Sequence, residues 1–200
     1  MTESRPEPAQ ISPLSSLKLT FVSWNICEAK ASAAAPDPTQ RTQHASLLIR
    51  EEFLSSCSAE HRISSKLPDI IALQECPSPS WGQEAFVPFG YTSMGTKMSH
   101  CGWVDLLVCQ DLAHNSRPIN LGSWLDLPSV ACVVTLLNQT DIAVSSSDLA
   151  PFGDGASERA EEFSELAKVV TKECSNCVML GDYNMRQSED RTFENMCGGG

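Results

Sequence analysis

Pro68-Asp69-Ile70-Ile71-Ala72-Leu73-Gln74-Glu75 is the stretch on which the fold turns. Ile70 to Leu73 form an apolar run of strand length without polar alternation. A strand reads this way when both of its faces are covered by other layers. The run ends at Glu75, so a carboxylate is delivered where the strand stops. Taken alone, Glu75 is an ordinary polar strand-end residue.

Two further segments share this construction. In Leu17-Lys-Leu-Thr-Phe-Val-Ser-Trp-Asn25, residues Leu19, Phe21 and Ser23 alternate with Lys18, Thr20 and Val22 before the chain reaches Asn25. Near the other end, the run Val178-Met179-Leu180 closes in Gly181-Asp182-Tyr183-Asn184-Met185-Arg186. Side chains two positions apart point to one side of an extended chain, so Asp182 and Asn184 can face one pocket. A carboxylate there orients or deprotonates a water, while the neutral amide donates to a phosphoryl oxygen without adding negative charge. The plain alternative is an Asx-turn, which satisfies local backbone groups. Asn25 and Glu75 offer hard oxygen ligands of the kind that magnesium accepts beside water and phosphate.

In this order, Ser23-Trp24-Asn25-Ile26, Pro68 to Glu75 and Leu180-Gly181-Asp182-Tyr183-Asn184 resemble the endonuclease/exonuclease/phosphatase family of metal-dependent phosphoesterases. The segment from Leu149 to Arg159, followed by a helix and the Gly181 turn, looks most like the branch containing the 5′-tyrosyl-DNA phosphodiesterases. The resemblance implies a four-layer α/β sandwich built from two similar β-rich halves. It also implies Mg²⁺ or Mn²⁺ held by Asn25 and Glu75, a water oriented by Asp182, and a scissile phosphate contacted by Asn184. The implied substrate is a phosphoester, such as a nucleic-acid end or a small phosphodiester.

This sequence departs from the family pattern in three places. Cys27 stands where many relatives have Asp, and Ser147-Asp148-Leu149 replaces a Thr/Ser-His-Leu motif. A closing Ser-Asp-His motif is missing, since His44, His61, His100 and His114 all precede Asp182. The expectation is therefore a leader over residues 1–17 and a domain over 18–200 whose second half is incomplete and whose hydrolysis is weak. The alternative is a catalytically inactive relative that acts only by binding.

Composition bounds the function classes. Two hundred residues, 42% of them hydrophobic, suffice for one domain with a sizeable core. No stretch reaches the ~18 apolar residues needed to span a bilayer, and the N-terminus lacks an apolar signal region. The nine cysteines are odd in number and lack an export signal beside them, which favours reduced thiols and an intracellular site, cytoplasm or nucleus. Cys109 and Cys132 lie in apolar runs and read as core, while Cys174-Ser-Asn-Cys177 has no second ligand pair to make a zinc site. A net charge of −11 argues against gripping long duplexes, which requires Lys and Arg over many phosphates. Arg117, Arg159 and Arg186 are candidates for local phosphate contacts.

The remaining periodicities predict a helix over 42–56, strands over 103–109 and 130–137, and a hairpin through Asn138-Gln139 to a strand over 140–146. A second helix is expected over 157–173, with Ser157 as N-cap and Ala160, Phe163, Leu166, Ala167 and Val170 on its buried face.

Overall fold

A computed structural model of the chain describes residues 19–26, 68–122, 127–150 and 156–184. The helix expected over 42–56, and Cys27 and Arg186, lie outside them. Two four-stranded sheets stack face to face. In the first, β1 (Phe21–Asn25) runs parallel to β2 (Ile70–Cys76), which pairs antiparallel with β4 (Trp103–Cys109), itself antiparallel to β3 (Tyr91–Met98). In the second, β5 (Ser116–Pro118), β6 (Ser129–Thr135) and β7 (Asp141–Asp148) pair antiparallel, and β8 (Cys177–Asp182) lies parallel to β7.

The unbroken apolar character of β2 has the cause read from its sequence. Ile70 and Ala72 pack between the sheets with Val104, Leu106, Val130, Cys132 and Val144. Ile71 and Leu73 pack on the opposite face with Trp81 and Phe86 of α1 (Trp81–Phe86). On the far side of the second sheet, Ala131, Val133 and Ala143 meet Leu166 and Val170 of α3 (Ala156–Glu173). A short α2 (Gln110–Ala113) follows β4. The layers are thus helix, sheet, sheet, helix, the α/β sandwich expected.

Several local expectations shift. Ser157 lies inside α3, which begins at Ala156, so it is not the cap. The buried face of α3 is Arg159, Glu162, Leu166 and Val170, while Phe163 is half-buried and meets Tyr183 edge-to-face at 5.6 Å. The strand expected from Val130 to Leu137 is Ser129–Thr135, because the chain turns at Leu137 and Asn138, leaving Leu137 82% exposed. Cys132 is buried as expected, whereas Cys109 is only half-buried at the end of β4.

Candidate active site

The two parallel pairs, β1 with β2 and β7 with β8, each present side chains toward the opposite sheet, and their C-terminal ends meet at one rim. On β1, Leu19 and Phe21 face the inter-sheet core, so Asn25, of the same parity, emerges at the rim on that side. Val144 and Leu180 do the same for Asp148 on β7 and Asp182 on β8. Asn25 joins the two sheets: its Nδ2 donates to Glu75 Oε1 at 3.0 Å and to Asp182 Oδ2 at 2.7 Å.

Glu75 reaches this rim through a backbone irregularity. Strict alternation would send it to the α1 side with Ile71 and Leu73. Instead the β2–β4 register shifts between Leu73 and Cys76, Glu75 adopts φ 54°, and Cys76 falls into the cluster of Ile71 and Leu73. Such a bulge re-aims one side chain. The bulge leans on Gly102, where a Cβ would stand 2.9 Å from the Cys76 carbonyl oxygen and from Glu75 Cα.

Asp182 and Asn184 face the same centre, and the Asx-turn forms as well: Asn184 N–H donates to Asp182 Oδ1 at 2.9 Å. The Asn184 amide donates to the Leu149 carbonyl at 2.7 Å and to Asp148 Oδ1 at 3.4 Å. Gly181 makes this turn feasible. It holds φ 151°, and a Cβ there would lie 2.2 Å from the Ser147 carbonyl oxygen, so only glycine lets β8 close onto β7.

The sequence marks Asp148 only as a missing imidazole; in the structure it completes the centre. Carboxylate oxygens of Glu75, Asp148 and Asp182 all lie within 4.8 Å of one another. Burial pushes the Asp148 carboxyl up to about 6; the Ser99 hydrogen bond opposes this, the Glu75 and Asp182 charges add to it, and the Asn184 amide opposes it. Behind the rim, a buried polar chain locks the sheets together. Gln74 Nε2 donates to Ser146 Oγ at 3.0 Å, and that hydroxyl donates to the Leu73 carbonyl at 3.1 Å.

Other candidates resolve differently. Arg159 is fully buried and donates to the Ala150 carbonyl at 2.9 Å, which makes it an internal prop and not a phosphate ligand. Arg117 is exposed and pairs with Glu173 at 3.0 Å. Among the described residues, the acid, His and Cys groups close enough to share an ion are Glu75/Asp148/Asp182 and His100/Glu158/Glu162, so Cys174 and Cys177 belong to neither. Among those residues no helix is long and apolar enough to cross a membrane.

Solved structures share this architecture. The human Nocturnin catalytic domain superposes with a TM-score of 0.62 at 16% identity, covering 90% of this chain and 69% of that one. TDP2 of D. rerio complexed with a single-strand DNA product gives 0.57 at 16% identity, covering 87% and 64%. The chain has the endonuclease/exonuclease/phosphatase fold. ANGEL2, a 2′,3′-cyclic phosphatase, shares that fold with a TM-score of 0.53 at 15% identity, covering 76% of this chain and 46% of that one. No protein-family model and no curated protein sequence matches the chain.

A divalent cation fits this fold's rim here. The Glu75 and Asp182 charges raise the proton affinity of Asp148, and an oxygen-only donor set suits a hard divalent ion. Asn25 turns its amide nitrogen toward the carboxylates, so a half-turn about χ2 is needed before its oxygen can ligate.

Proposed function

We propose that this chain is a metal-dependent phosphodiesterase that hydrolyses a phosphoester at a nucleic-acid end or in a small phosphodiester. The observation that carries the proposal is the convergence of Asn25, Glu75, Asp148, Asp182 and Asn184 at the joined rims of two parallel strand pairs. Glu75, Asp148 and the Asn25 amide oxygen would hold Mg²⁺ or Mn²⁺, which supplies positive charge to a phosphoryl oxygen and to the leaving oxygen. Asp182, fixed by the Asn184 backbone N–H, accepts a proton from the attacking water and aims it. Asn184 swings its amide from the Leu149 carbonyl to a phosphate oxygen as charge builds. A negative overall charge favours a substrate end over a long duplex, and TDP2 bound to a single-strand DNA product provides the precedent within the fold.

The test is turnover of an activated phosphodiester and of a 5′-phosphotyrosyl oligonucleotide by the purified chain with Mg²⁺ or Mn²⁺. Hydrolysis that needs the cation and is abolished in Asp182→Ala supports the reading. A rate indifferent to that substitution refutes the assigned roles. The second reading, an inactive relative that binds phosphoesters, is favoured by Asp148 standing where the family resemblance implies an imidazole. Saturable binding of the oligonucleotide with no turnover would decide for it.

A further inference from the structure

His100 sits in the turn between β3 and β4, and Glu158 and Glu162 stand one helical turn apart on α3. Spacing of four places both glutamates on one face of the helix. One ligand atom from each of the three residues lies within 4.8 Å of the other two. They line a cleft of about 340 Å³ whose walls include Met98, Leu127 and Pro128. His100 and Glu158 are exposed, but Glu162 is only 9% exposed. Its Oε2 accepts the Ala150 N–H at 3.1 Å, and among the described residues its other oxygen accepts no hydrogen bond.

We propose that His100, Glu158 and Glu162 form a second metal site, separate from the carboxylate centre at the rim and selective for zinc. One nitrogen and two carboxylates are a borderline donor set, which favours Zn²⁺ over the magnesium-type ion suited to an all-oxygen site. Three protein ligands leave a fourth position for water or an acidic ligand. The site is joined to the rim by two short paths. Ser99, beside His100, donates its hydroxyl to Asp148. Ala150, bonded to Glu162, follows Leu149, whose carbonyl holds the Asn184 amide. Zinc therefore clamps the β3–β4 turn onto α3 and steadies both supports of the rim.

The test is titration of the full chain with Zn²⁺ in a Cys174→Ser/Cys177→Ser background, followed by nitrogen NMR of the histidine rings. The His100 resonance, identified by its loss in His100→Ala, should shift within the first equivalent. His100→Ala and Glu158→Gln, both at exposed positions that folding tolerates, should each weaken zinc binding about tenfold or more, a loss that even an outer-shell partner can produce. Glu75→Gln, which disables the rim, should leave zinc affinity unchanged, so the two sites fail independently. An unmoved His100 resonance, or equal affinity in Glu158→Gln, would overturn the proposal.

Discussion

Asp105→Asn should make this protein more stable at neutral pH, and by an amount that depends on pH in a calculable way. Asp105 lies in the middle of β4, is 1% exposed, and faces the α1 layer. Ser93 donates to its Oδ1 at 2.7 Å, but Oδ2 has no hydrogen-bond partner and presses against Gly82, where a Cβ would stand 2.2 Å away. Burial therefore pushes this carboxyl from 3.8 to about 6, only partly opposed by the Ser93 hydroxyl and the Leu106 backbone. Because the folded protein binds this proton more tightly than the unfolded chain, the contribution is fully present below 3.8 and is lost as pH rises through about 6. The whole loss is about 3 kcal/mol, roughly half of it falling between about pH 5 and pH 8.

Asparagine keeps the shape and the Ser93 hydrogen bond but cannot ionise. Urea unfolding of both proteins at about pH 5 and about pH 8 isolates the effect. The stability difference, variant minus wild type, should grow by about 1.4 kcal/mol in favour of the variant over that interval. Other titrating groups are common to both proteins and cancel. A difference that stays constant within about 0.3 kcal/mol would show that Asp105 ionises freely in the fold, and the argument from burial would fail.

Other expectations follow the same logic of contacts. Gly181→Ala should cost about 3 kcal/mol or more, since its Cβ would stand 2.2 Å from the Ser147 carbonyl oxygen at φ 151°; a Tm change of less than a few degrees would contradict that geometry. Arg159→Ala should destabilise by about 3–5 kcal/mol by removing a fully buried cation and leaving its partners unpaired, measurable by denaturant unfolding. Mn²⁺ at about a hundred times its dissociation constant should stabilise the chain by about 2.7 kcal/mol, and Glu75→Gln should abolish that gain in a thermal melt. Asn184→Ala should lower kcat on a phosphodiester by about 10²–10³, because in the proposed mechanism its amide acts on developing charge.

What the sequence made legible is the part written in local pattern. The covered strand β2, the alternating β1 and the Gly181-Asp182-Tyr183-Asn184 turn could each be read because apolar parity and turn chemistry are properties of neighbouring residues. Strand β3, Tyr-Thr-Ser-Met-Gly-Thr-Lys-Met, escaped notice because it is an edge strand with a bulge opposite Asp105, so its burial does not alternate. Arg159 and Glu162 were hidden for the opposite reason. Charged residues read as solvated faces, and only the tertiary contact with Ala150 makes them interior. Asp148 closes β7 after Ser145-Ser146-Ser147, with no apolar run to mark the strand end, and a carboxylate where an imidazole was expected looked like a loss.

The geometry of the rim explains why that substitution need not be a loss. Both sheets end there in a parallel pair, and parallel strands deliver their last inward-facing residues side by side at one end, as Asp148 and Asp182 show. Asn25 arrives from the other sheet and bonds carboxylates on both. An added carboxylate at Asp148 raises the local negative charge, which disfavours an anionic substrate alone and strengthens the attraction for a divalent cation. In the proposed mechanism, Asp148, standing where the family resemblance implies an imidazole, would therefore couple substrate binding to metal occupancy more tightly than a neutral group. On that argument Asp148→Asn should weaken Mn²⁺ binding by about tenfold or more, while improving binding of a phosphate monoanion to the metal-free chain. Calorimetric titration of each ligand checks both halves, and a variant that binds phosphate no better without metal would show that Asp148 does not set the charge of the rim.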